Sequence, residues 1–138
     1  MWIVYTIGSS FFAGITAILA KCGIRRTDSD VATAIRTIVV LLFSWLMVLS
    51  TGTIWGIVNI DGKTVLFLVL SGLATGVSWM CYYKALQEGP ASVVVPIDKL
   101  SILVTIAFSR IVFHEKLTKK AAAGLLCMTV GTLLLAML

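Results

Sequence analysis

Apolar residues fall into five long blocks with short polar breaks between them. The first covers residues 2–20 and is ended by Lys21, Arg25, Arg26, Asp28 and Asp30. The second, 31–50, closes at Thr51 and Gly52. A mildly apolar connector with Trp55, Asn59, Asp61 and Lys63 leads to the third block, 64–83, which Lys84, Gln87 and Glu88 follow. Gly89 and Pro90 then force a turn, and Pro90 suits the first position of a new helix, where its missing N–H costs nothing. The fourth block is 91–113 and the fifth 120–138, with a polar break between them in which Thr118 is a candidate N-cap. Each block holds roughly 18–23 residues, enough at 1.5 Å per residue to cross a hydrocarbon core of about 30 Å. The period-two alternation of a membrane barrel is absent. The pattern predicts an all-α membrane protein, one domain over 1–138 with five transmembrane helices and no soluble domain.

Composition strengthens this. Of 138 residues, 59% are hydrophobic and 12% charged, and the mean hydropathy is +1.06. An ordinary soluble domain is roughly 25% charged, and a chain this short leaves too much of its area in solvent to hide so much apolar surface. The net charge of +5 would suggest nucleic acid in a soluble protein. Here the basic residues lie between apolar blocks, where anionic lipid and insertion topology account for them, so no nucleic acid partner is expected. Cys22, Cys81 and Cys127 are odd in number and sit in or beside apolar blocks, which argues against a disulfide framework. His114 is the sole histidine, and no zinc spacing exists, so no metal or other cofactor is expected. The first block lacks a basic leader and a cleavage site, and reads as a retained helix. Without a nucleophile–base pair or a phosphate loop, the chain does not read as an enzyme.

The charges between the helices bear on topology. Five crossings put the ends of the domain on opposite sides. The N-terminal side carries Lys63, Arg110, Lys116, Lys119 and Lys120; the other carries Lys21, Arg25, Arg26 and Lys84, with Arg36 close by. Orientation follows a bias in such counts, and these are nearly equal. The balance predicts dual insertion and an antiparallel homodimer of ten helices, the symmetry by which inverted-repeat transporters enclose a site near the midplane.

Ionisable groups within spans are costly and mark function by default. Arg36, Asp98 and Lys99 are the candidates. Arg36 lies about 8 Å past its helix start and Asp98 about 11 Å past its own, depths that allow them to pair. Lys99 then remains to attract an anionic group or to couple to protons, and adjacent positions on a helix should point Asp98 and Lys99 apart. Snorkelling of Arg36 and Lys99 is the plainer alternative. Pro96 withholds one backbone bond and should bend the fourth helix. Ser71, Thr75, Ser78 and Tyr82 form a polar stripe on the third helix beside Trp79 and Tyr83, and Ser101 and Thr105 share a face with Asp98 on the fourth. Together they could line a site, with hydroxyl bonding between helices as the alternative. Gly72 with Gly76, and Ala123, Cys127 and Gly131 at four-residue steps, suit close packing, the latter at a dimer seam.

The run Tyr83-Lys84-Ala85-Leu86, then Gly89-Pro90-Ala91, a membrane helix, Glu115-Lys116-Leu117-Thr118, Gly124 and Gly131 resembles the EamA domain of the drug/metabolite transporter superfamily. The resemblance spans nearly the whole chain, with its specific motifs in the second half. Familiar members join two such domains in inverted orientation, so it implies a half-size transporter that pairs with a second copy in a bacterial or archaeal cell membrane. It implies export or exchange of metabolites and gives Glu115 a structural role. Pro96-Ile97-Asp98-Lys99 departs from the family's apolar fourth helix and makes the cavity more charged. The small multidrug pumps of the superfamily carry a glutamate in the first of four helices; this first helix has no acid. The expected function is therefore a secondary transporter of a small polar or anionic metabolite, with protons as a candidate coupling ion, working by alternating access. The alternatives are a non-transporting membrane subunit and a lipid-linked substrate flippase subunit, either one pairing with another half-size protein.

Overall fold

The computed structural model describes residues 1–114 and 116–137, and its regular elements are all helical. They are α1 (Trp2–Gly23), α2 (Ser29–Ser50), α3 (Gly62–Glu88), α4 (Ala91–Asp98), α5 (Ser101–Val112) and α6 (Lys119–Ala136), with 3-10 turns at Ile24–Arg26 and Thr53–Asn59. Counting α4 and α5 as one stretch, Ala91–Val112, five segments are long and apolar enough to cross a membrane. Glu115, expected to act structurally, and Leu138, the last residue of the fifth block, lie outside the described residues.

The helices overrun their apolar blocks where the flanking residues favour it. Asp28 occupies the N-cap position of α2 and Asp30 its first turn, where negative charge faces the positive end of the helix dipole. The α3 helix continues through Lys84, Ala85, Leu86 and Gln87, good helix formers all, until Gly89 and Pro90 stop it. Past the end of α2, Gly52 takes φ +69, a left-handed conformation open to glycine without a Cβ penalty, and donates to the Leu49 carbonyl at 3.3 Å. Thr118 caps α6 as expected, its hydroxyl accepting from the Ala121 N–H at 3.3 Å.

The chain packs as two compact units, Met1–Gln87 and Glu88–Leu138. In the first, burial is confined to one end. Ala17 and Ile24 near the end of α1, Ser29 and Thr33 at the start of α2, and Tyr83 and Leu86 near the end of α3 are its buried residues. Two polar contacts fasten the same end: the Lys21 ammonium donates to the Leu86 carbonyl, and Gln87 Nε2 donates to the Thr27 carbonyl at 3.2 Å. Both occupy carbonyls of the connecting or terminal backbone, which would otherwise go unbonded near lipid. In the second unit α4 packs on α6, and Thr132 is buried. Along the spans no more than 6% of any apolar window is buried.

Several hydroxyls along the spans are satisfied within their own helices. Thr33, Thr37, Ser44 and Thr75 each donate to the carbonyl four residues back at 2.8 Å. In lipid this removes the cost of an unpaired polar group.

Candidate functional site

Two groups of ionisable and aromatic side chains stand out, one in each unit. In the first, Arg36 lies two turns into α2, and Trp79 and Tyr83 lie four residues apart on one face of α3. The packed end brings these faces together. The Arg36 guanidinium carbon is 4.0 Å from the Trp79 ring centroid and 5.5 Å from that of Tyr83. The Tyr82 and Tyr83 rings lie 5.9 Å apart at 37°. Arg36 and Trp79 are half-buried and Tyr83 is buried. A cation over aromatic faces replaces part of its lost hydration. Within its own unit Arg36 makes no hydrogen bond or ion pair among the described residues, so its N–H donors stay available.

Beside it lies a cavity of about 440 Å³. Leu19, Ile24 and Ile35 give it apolar walls, Thr16 and Thr27 contribute hydroxyl-bearing side chains, and among the described residues Arg36 is the one charged member of the lining. Of the residues expected at a site, the cavity includes Arg36 and Tyr83, and Trp79 backs Arg36. Thr75 and Ser78 lie further along α3, exposed and outside the lining. The contribution of α1 was missed. Its wall residues are ordinary members of an apolar block and carry no sign of their own.

The second group sits where the fourth span breaks. After Pro96 the helix tightens. Leu100 N–H bonds to the Ile97 carbonyl at 3.0 Å, Ile102 to Lys99 at 3.1 Å, and Leu103 to Leu100 at 2.9 Å, all three residues back. A tightened stretch inside a span is a common hinge. The expectation that Asp98 and Lys99 point apart is corrected: the Lys99 ammonium reaches the Asp98 carboxylate at 3.8 Å. The backbone stays helical through Lys99, the cap of α4, so it is the long, flexible Lys99 stem that reaches round to its neighbour. Both side chains are partly exposed, so the pair adds little stability. Thr105 donates to the Ser101 carbonyl at 3.2 Å on α5.

The small residues expected to pack stand uncovered. A methyl added to Gly72, Gly76 or Gly131 would meet no atom within 4 Å, and Ala123 and Cys127 are exposed. On α6, burial instead follows Leu125, Met128, Thr129 and Thr132, a neighbouring stripe.

A model of the EamA-like transporter family matches residues 1–137. A Sinorhizobium protein named as an uncharacterized transporter in the cobO 3′ region is 43% identical over 135 residues, covering 98% of this chain and 96% of that protein. An uncharacterized protein of Methanocaldococcus jannaschii is 28% identical over 103 residues, 68% of this chain and 75% of that one. No solved structure matches the chain.

Proposed function

We propose that this chain, which belongs to the EamA-like transporter family, works as one half of a secondary transporter that exports or exchanges a small polar or anionic metabolite by alternating access. Its class needs no proposal: it is an integral membrane protein of a transporter family, not of an enzyme family. The observation that carries the substrate reading is Arg36, a cation inside a span, beside a cavity and held by rings rather than by an acid of its own unit. The Asp98–Lys99 pair at the break in the fourth span supplies a second charged station, with Pro96 providing the bend. Trp79, Tyr82 and Tyr83 form the aromatic side of the site, and Thr75, Ser78, Ser101 and Thr105 its polar lining.

Pairing with a second, oppositely inserted copy draws support from three features. The basic residues are balanced across the membrane. The spans bury almost none of their apolar length. Small faces at Gly72 and Gly76, and at Ala123, Cys127 and Gly131, lie open for close helix contact. Counterflow in proteoliposomes tests the reading, with labelled lactate, succinate, alanine and uridine offered to wild type and Lys99→Ala. Exchange of at least one solute well above empty liposomes, at least tenfold slower in Lys99→Ala, is expected. Equal rates in the two proteins would remove Lys99 from the mechanism, and no exchange of any solute would count against transport.

A further inference from the structure

We infer that the cavity of the first unit binds an amphipathic organic monoanion, a carboxylate on an apolar body of one or two rings, with the carboxylate on Arg36. The inference names a substrate class for the transporter reading and rests on that reading for its purpose, but not for its measurement.

Depth comes first. Arg36 lies seven residues into α2 from Ser29, about 10 Å along the axis, and Trp79 lies nine residues before the end of α3, about 13 Å in. Those two helix ends belong to the same packed end of the unit. A snorkelling arginine would reach back toward that end. This one instead lies over Trp79, its guanidinium carbon 4.0 Å from the ring centroid. The rings hold the guanidinium face, and its N–H edges, set in a rigid fork, remain for a ligand. A carboxylate matches that fork with two parallel hydrogen bonds, and at this depth the attraction is weakly screened.

The rest of the lining sets the body of the ligand. Leu19, Ile24 and Ile35 offer carbon, and about 440 Å³ falls within the range of small-molecule sites. Among the described residues no acidic side chain lines the cavity. An amino acid would therefore bury its ammonium without a counter-charge, and a dianion would leave one negative charge unmatched. The site should refuse both.

Calorimetric titration of the detergent-purified full chain with phenylacetate, phenylacetamide and phenylalanine tests this. Phenylacetate should bind, the neutral amide should bind at least tenfold more weakly, and phenylalanine should bind no better than the amide. Arg36→Gln should weaken phenylacetate at least tenfold. Leu19→Trp, which fills the cavity without touching the charge, should do the same and serves if Arg36→Gln does not fold. Absent phenylacetate binding, wild-type affinity in either variant, or phenylalanine binding as tightly as phenylacetate would each overturn the inference. An anionic lipid headgroup offers related chemistry, so the titration is repeated in nanodiscs of phosphatidylcholine with and without one-third phosphatidylglycerol. Affinity within a few-fold assigns the site to a soluble anion, as inferred; a tenfold loss assigns it to lipid and overturns it. Phenylacetate binding without counterflow of labelled phenylacetate or of any of the four solutes would sink the transporter reading alone, and Lys99-dependent counterflow without phenylacetate binding would sink this inference alone.

Discussion

A guanidinium drawn into an apolar span loses its water, and Arg36 recovers part of that loss from Trp79 and Tyr83. Those rings sit at the packed end of the unit, where Leu86 and Ile24 are 0% and 1% exposed. Leu86→Ala should therefore cost about 2–5 kcal/mol, as core leucines do. Leu68→Ala, at a position 60% exposed on the same helix, should stay within about 0.5 kcal/mol. Thermal unfolding of both variants in one detergent measures the contrast; equal losses would contradict packing confined to one end. Arg36, Trp79 and Tyr83 were legible as candidates because charge and aromatic rings are conspicuous in an apolar block. Leu19, Ile24 and Gly23 were not, since an apolar residue facing a cavity and one facing lipid look the same along a chain.

Among the elements, the fourth span departs most from a plain helix. Its apolar block gave no sign that it would divide into α4 and α5; Pro96 alone pointed to a bend, and the tightening follows one turn later at Lys99 and Leu100. Asp98 and Lys99 meet at 3.8 Å beside it through the reach of the flexible Lys99 stem. If the tightened turn is the hinge on which the span moves, restoring a backbone donor upstream should stiffen it. Pro96→Ala is expected to slow amide exchange at Leu100–Leu103 and to slow counterflow at least tenfold. Phenylacetate binding should not change, because the cavity belongs to the other unit. Hydrogen exchange and transport on the same preparation provide the check, and wild-type flux with slowed exchange would strip the break of any moving role.

At the scale of the whole molecule, the decisive quantity is the charge on either side of the bilayer rather than any contact. With Lys63, Arg110, Lys116, Lys119 and Lys120 set against Lys21, Arg25, Arg26, Lys84 and Arg36, insertion has little to choose between. Small changes should therefore decide it. Arg25→Gln with Arg26→Gln should hold the N-terminal side inside and the C-terminal end of the domain outside; Lys119→Gln with Lys120→Gln should do the reverse. Reporters fused after Leu138, alkaline phosphatase for outside and a fluorescent protein for inside, should both be active in the wild type, with one active in each variant. Transport discriminates further. If the working unit holds two opposed copies, each variant alone should lose counterflow and the two expressed together should regain it. A single reporter active in the wild type, or full transport by either variant alone, would mean that one orientation suffices. The uncovered faces at Gly72 and Gly131 would then meet lipid or another protein in place of an inverted twin.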